Sequence, residues 1–111
     1  MDAFELEQVA EERAKLGKLY VEFLRQPSIS AGLYVLAAGS EDPQQPHTED
    51  EVYYVVRGRA TIRVAEEDRP VGPGSVIYVA AGVPHRFHTI EQDLEILVIF
   101  APAQYTRGQA D

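Results

Sequence analysis

Three side chains in this sequence have the types and spacing of a metal site. His47 and Glu51 stand four residues apart, where a polar, proline-containing loop runs into an apolar strand. His85 stands at a matching junction, directly after Gly82-Val83-Pro84 and before another run with strand character. Two imidazoles and one carboxylate make a mixed nitrogen and oxygen donor set, which suits one divalent ion such as Fe, Mn, Ni or Zn and leaves positions open for a small molecule. The chain has no cysteine, so a disulfide framework, a zinc ribbon and a thiol nucleophile are all excluded, and any metal must sit on His, carboxylate, amide or water. Glu51 belongs to an acidic run, Glu49-Asp50-Glu51, and such runs are usually solvated; only its spacing to Gly58 singles it out.

These groups need a scaffold, and 111 residues allow one domain with a core of its own. Residues 3–16 are rich in helix formers, with Asp2 as the expected N-cap and Gly17 as the C-terminal stop. Beyond Gly17 the pattern becomes extended. Strands are expected over 19–25, 31–38, 51–57, 60–65, 69–71, 75–79, 84–89 and 94–101. Breaks are expected at Pro27-Ser28, Arg57-Gly58, 66–68, Gly72-Pro73-Gly74, Ala81-Gly82 and 91–93. Short strands separated by Gly and Pro predict an all-β antiparallel sandwich or barrel behind a short N-terminal helix. The domain plan is a helical extension over 1–17, a barrel over 18–104 and a disordered tail over 105–111.

Strand alternation predicts the faces. If Glu51 points inward, Tyr53 and Val55 follow it, and Val52, Tyr54 and Val56 point out. Likewise His85 carries Phe87 and Thr89 inward and leaves Arg86 and His88 outside. Ile62, Val64, Ile77, Val79, Ile96 and Val98 complete an apolar lumen with a polar cluster at its mouth, which is the form of a small-molecule pocket. Tyr53 and Glu51 are the candidate catalytic groups, placed to move a proton beside the metal. The outward Val52, Tyr54 and Val56 need cover, from the N-terminal segment or from a second copy of the chain.

The two stretches around these ligands resemble the motifs of the cupin superfamily. The first motif, roughly G-x5-H-x-H-x3-4-E-x6-G, is matched by His47, Glu51 and Gly58, with Gln45 where its first histidine falls. The second, roughly G-x5-P-x-G-x2-H-x3-N, is matched by Gly74, Gly82 and His85, with Ala80 in place of the proline and Thr89 in place of the asparagine. The resemblance covers about residues 30–101. It implies a double-stranded β-helix, or jelly-roll barrel, and a ligand set of Gln45, His47, Glu51 and His85, with Gln45 as a weak, neutral fourth donor or a hydrogen-bonding neighbour. It also implies a homodimer.

Composition narrows the function. Eighteen acidic against ten basic residues give a net charge of −8, which disfavours nucleic acid and anionic membranes as partners. Arg57, Arg59 and Arg63 are expected as outward, solvated charges. No leader and no long apolar run stand out, so a cytoplasmic location is expected. The reading that follows is a metal-dependent enzyme acting on a small organic molecule bound in the barrel. The ligand set and apolar lumen favour dioxygenase-like chemistry over lyase or isomerase chemistry. The alternative is a non-catalytic cupin that binds a metal or a small molecule as a structural or sensor module.

Overall fold

The computed structural model describes residues 1–106. It contains one helix, α1 (Leu6–Leu16), followed by β1 (Tyr20–Gln26), β2 (Ile29–Leu36), β3 (Asp50–Val64), β4 (Glu67–Val71), β5 (Val76–Val79) and β6 (His85–Ala101). All strand pairings are antiparallel, in the order β1-β2-β6-β3-β4, and β5 pairs with β3. This is the expected all-β barrel with a helix in front.

The helix begins later than its composition predicts. Its N-cap is Glu5, in extended conformation and without a side-chain cap, rather than Asp2. The residues ahead of it are drawn onto the sheet instead, where Phe4 meets the edge of Phe23 from β1 with ring centroids 5.0 Å apart. Gly17 ends the helix as expected. Its left-handed φ of 67° turns its N–H back to the carbonyls of Arg13 and Ala14. Val9 is the buried residue of the helix, which packs on β1 and β2.

Two breaks foreseen in the sequence are bulges inside long strands. β3 continues through Arg57-Gly58, and β6 continues through 91–93. The burial pattern records the change. In β3, Glu51, Tyr53 and Val55 are buried, but after the register shifts between Val55 and Thr61 the buried positions become Gly58, Ala60 and Ile62. In β6, His85 and Phe87 point inward, Thr89 adopts a positive φ of 49° and is exposed, and Ile90 takes the inward place. The inward position expected for Thr89 is therefore wrong, because a residue with positive φ shifts the alternation by one.

These bulges let one antiparallel strand pair, β3 and β6, build both walls of the barrel. The first half of β3 lies between β5 and the end of β6; its second half lies between β4 and the start of β6. Between the walls, Leu36, Tyr53, Val55, Ile62, Phe87, Leu94, Ile96, Val98 and Phe100 form a core with almost no exposed surface. Val64 and Ile77, also expected inward, are partly buried against it.

The outer face of one wall is apolar across five strands. Tyr78, Val52, Ile99, Ala31 and Leu24 form one cross-strand row, and Val76, Tyr54, Leu97, Leu33 and Val21 form the next. At the α1 end, Ala31 and Leu33 are buried. At the other end, Tyr54, Val76 and Tyr78 are exposed, and β5 has a single neighbouring strand.

Tyr105 and Thr106 of the tail expected over 105–111 are described, and the rest lies outside the described residues. The N–H of Gln104 donates to Ser30 Oγ at 2.9 Å, and that of Tyr105 to Glu49 Oε1 at 2.7 Å, so the chain is tied down to this point.

Gly58 is the residue on which the bend of β3 turns. Its φ is 96°, and a Cβ built on it would stand 2.3 Å from the carbonyl oxygen of Asp93. Gly58→Ala should therefore meet both a disfavoured backbone conformation and an immovable neighbour. We expect a loss of at least about 3 kcal/mol in urea denaturation; a loss below about 1 kcal/mol would show that the bend does not depend on it.

Candidate metal centre

β3 delivers Glu51 and Tyr53 to the barrel interior at its N-terminal end, and β6 delivers His85 as its first residue. His47 comes from the loop before β3, which is pinned where it meets the β5–β6 turn by the Gly82 N–H donating to the His47 carbonyl at 2.7 Å. The same turn is held by the Ala81 N–H donating to Asp50 Oδ1 at 2.8 Å. The result brings one donor atom each from His47, Glu51 and His85 within 4.8 Å of one another. The sequence-predicted triad is assembled as expected.

The chemistry of these atoms fits a cation. His85 Nε2 lies 2.8 Å from Glu51 Oε1, yet the two are not aligned as a hydrogen bond. Both Glu51 oxygens and His85 Nε2 are buried without a hydrogen-bond partner among the described residues. Three buried, unpaired polar atoms are costly, and a shared positive ion satisfies all of them together. The other nitrogen of His85, Nδ1, lies 2.8 Å from the Val83 carbonyl. A carbonyl only accepts, so Nδ1 carries a proton and donates, and Nε2 presents its lone pair to the cluster. His47, Glu51 and His85 can therefore hold a divalent ion.

Electrostatics agrees with this use. Burial pushes the imidazolium of His47 below its ordinary range, so its ring is neutral and available as a ligand at neutral pH. Burial also acts against a charged His85, but the adjacent Glu51 and the Val83 carbonyl outweigh it and raise the value. A proton and a metal ion thus compete for the same place between His85 and Glu51.

The amide beside the triad belongs to Gln44. Gln45, expected at the fourth ligand position, is exposed on the pocket rim. Gln44 Oε1 lies 3.4 Å from His47 Nε2 and accepts the Tyr53 hydroxyl at 2.8 Å, while its Nε2 donates to Asp42 Oδ2 at 2.5 Å. Since a carboxylate only accepts, Asp42 fixes which end of the amide faces Tyr53. Asp42 also accepts from the Tyr34 hydroxyl at 2.5 Å and from the Phe87 N–H at 2.9 Å, fastening the loop to β2 and β6. Sequence reasoning missed Asp42 and Gln44. Asp42-Pro43 reads as an ordinary turn, and the family spacing points to the neighbouring glutamine.

The other members of the acidic run also have fixed places. Glu49 is buried, accepting from the Tyr105 N–H and from the Thr48 hydroxyl, and Asp50 holds the Ala81 N–H. Arg57 and Arg63 are outward, in ion pairs with Glu95 and Asp68, and His88 pairs with Asp68 on the surface. In front of the triad lies a cavity of about 380 Å³. His47, Glu51, Tyr53 and Gln44 supply its polar wall, and Val98, Phe100, Pro43 and Leu19 supply much of the rest. Among the described residues, no helix is long and apolar enough to cross a membrane.

Comparison with known proteins places this geometry. The family model described as "Cupin domain" matches residues 32–100. An uncharacterized protein of Streptomyces coelicolor, SCO3923, is 51% identical over 104 residues, covering 94% of this chain and 99% of its own length. Among solved structures, TT1209 from Thermus thermophilus superposes with a TM-score of 0.74 at 25% identity, over 93% of this chain and 99% of that one. The DMSP lyase DddQ from Ruegeria pomeroyi superposes with a TM-score of 0.67 at 22% identity, over 79% of this chain and 49% of that one, a likeness of fold.

The cluster predicts a metal-linked stability. An ion present at about 100 times its Kd stabilises the chain by about 2.7 kcal/mol, or about 10 °C in Tm. Thermal melts with and without a chelator should show that difference in the wild type and lose it in His85→Ala. An equal response in both would exclude His85 as a ligand.

Proposed function

The chain belongs to the cupin family, and we propose that it is a metal-dependent enzyme that binds a small, largely apolar organic molecule through that molecule's oxygen atoms, with dioxygenase-like chemistry. One observation carries this reading: His47, Glu51 and His85 converge as a two-His, one-carboxylate set in which both Glu51 oxygens and His85 Nε2 are buried and unpaired among the described residues, and His47 and Glu51 border a cavity of about 380 Å³ with largely apolar walls. An ion held there, Fe, Mn, Ni or Zn, supplies Lewis-acid polarisation of substrate oxygens and, in the case of iron, access to dioxygen chemistry.

The chain's own residues provide the rest. Val98, Phe100 and Pro43 surround the apolar body of the ligand and exclude water. Tyr53 stands beside the triad, its ring 5.9 Å from that of His85. Burial first, and then the charge of Glu51, hold its phenol well above the ordinary range, so it remains protonated at neutral pH. Its proton is directed at Gln44 Oε1, which leaves the phenolic oxygen able to accept from the ligand.

A second reading, a lyase or isomerase, is favoured by the same Tyr53-Gln44-Asp42 chain, because a fixed phenol next to a carboxylate can move a proton. A catechol-type or diketone substrate supplied to the Fe(II)-loaded protein separates the readings. Oxygenase chemistry predicts consumption of O2. Proton-transfer chemistry predicts solvent deuterium uptake without O2 and with Zn or Mn as well. In either case Tyr53→Phe should keep its metal and lose about 10²-fold in turnover. Binding without turnover by any loaded form would leave the non-catalytic alternative.

We further propose that the chain is a homodimer that covers the exposed end of its apolar face, around Tyr54, Val76 and Tyr78. Analytical ultracentrifugation should give twice the chain mass, falling to one chain mass in a Val76→Asp, Tyr78→Asp double variant. A monomeric wild type at micromolar concentration would reject the assembly.

A further inference from the structure

Two large apolar side chains stand exposed at the opening of the cavity, and they come from opposite ends of the chain. Leu19 is 45% exposed and Tyr105 is 56% exposed. The inner walls differ: Glu51, Tyr53, Val98 and Phe100 are each at most 2% exposed. The cavity therefore has depth, with the carboxylate of the triad among its inner groups and Leu19 and Tyr105 at its rim. Both rim residues lie outside the family-matched residues 32–100. A single exposed apolar residue is ordinary, but two on the rim of one cavity extend its apolar wall outward.

Tyr105 holds its place against the preference of its backbone. Its φ is 67°, in the left-handed region, which a bulky residue disfavours. Among the described residues, five positive-φ positions are filled by glycine, and the other two non-glycine ones by the smaller Ala65 and Thr89. The conformation is imposed by a chain fixed on either side of it. The Gln104 N–H donates to the buried Ser30 Oγ at 2.9 Å, and Arg25 Nη2 donates to the Gln104 carbonyl at 2.9 Å. The Tyr105 N–H donates to Oε1 of the buried Glu49 at 2.7 Å. The ring itself stays outside the hydrophobic core. Burial, and after it the charges of Glu22, Glu51 and Tyr105, hold the Tyr20 phenol above its ordinary range, which puts the phenol end of Tyr105 near another residue of the cavity wall. Glycine would accept this backbone without strain, so a large ring here needs a reason outside the fold.

We infer that Tyr105 is a specificity-determining residue whose ring, with Leu19 on the same rim, packs on a flat apolar extension of the bound molecule, away from the oxygens held at His47, Glu51 and His85. The inference rests on the proposed use of this cavity for an oxygen-chelating small molecule. It specifies the ligand class further: a chelating oxygen pair on a compact body that carries an aromatic or similarly flat substituent. No lysine or arginine lines the cavity, so an apolar extension suits the opening and an anionic one does not. An aromatic ring is suited to this contact, because ring pairs attract beyond their buried area. The ring is already exposed in the free protein, so a ligand reaches it without rearrangement of the fold.

Two measurements on the full chain test this. The first is the melting temperature of Tyr105→Gly in metal-free protein. Glycine suits the left-handed backbone, so Tm should stay within about 3 °C of the wild type or rise. A larger fall would show that the ring serves the fold, and would overturn the inference without touching the metal site. The second is calorimetric titration of Zn(II)-loaded protein with catechol and with 4-phenylcatechol. In the wild type, 4-phenylcatechol should bind about 10-fold or more tighter than catechol. Tyr105→Gly should reduce that ratio to within about 3-fold, through lost affinity for 4-phenylcatechol. Tyr105→Phe should keep the ratio within about 2-fold of the wild type, because the ring and not its hydroxyl makes the contact. A smaller ratio in the wild type, one that survives in Tyr105→Gly, or one that Tyr105→Phe loses overturns the inference alone. A wild type that loads zinc but binds neither catechol overturns the proposed function and this inference with it.

Discussion

A buried carboxylate without a hydrogen-bond donor is the constraint around which this molecule is organised. Glu51 has both oxygens buried and neither in a hydrogen bond among the described residues, and the unprotonated nitrogen of His85 faces it. A single-domain protein of this size has a net stability of only about 5–15 kcal/mol, so an uncompensated charge at the end of its core is a large fraction of the total. A polar group of the chain could have satisfied it. Instead the nearest polar groups are turned to other partners: Gln44 to Asp42 and Tyr53, and His85 Nδ1 to Val83. What is left is a set of lone pairs facing one another, which a shared positive charge, a proton on His85 or a metal ion, can satisfy.

The surrounding structure holds that set in place. β3 and β6 run nearly the length of the barrel as one antiparallel pair, and their bulges bend it so that Glu51 and His85 meet across the interior while His47 arrives from a loop. That loop is irregular, and side chains compensate for its lack of strand pairing. Asp42 fastens it to β2 and β6, and its amide partner Gln44 fixes the phenol of Tyr53. The position of a proton on Tyr53 is thereby set by a carboxylate two residues before Gln44. Rigid placement of this kind fixes the polar groups that a bound molecule would meet.

Much of this is legible in the sequence, for identifiable reasons. Glu51, Tyr53 and Val55 face inward because strand alternation has a strict period of two, and His47 and His85 are marked by their junctions with turns. The helix stop at Gly17, the Pro27-Ser28 turn and the outward arginines follow from equally local rules. Rules of that kind fail where pairing decides the outcome. Gly58 and residues 91–93 carry the signals of turns, yet they are bulges, because the two halves on either side find partners in the same long β3–β6 strand pair. Thr89 departs from its expected face for the same reason. The choice between Gln44 and Gln45 depends on a loop conformation that no periodicity reports, and the seat of Tyr20 depends on its crossing over Gly32 on the adjacent strand. Both become visible only with three-dimensional contacts.

The central claim is that His47, Glu51 and His85 hold a metal ion. Elemental mass spectrometry on protein purified without a histidine tag, with Glu51→Gln measured beside it, tests this most directly. The account predicts about one divalent ion per chain in the wild type and a large loss in the variant, because the neutral amide removes the charge that the ion compensates. A wild type that is metal-free as purified and takes up no added Fe, Mn, Ni or Zn would contradict it.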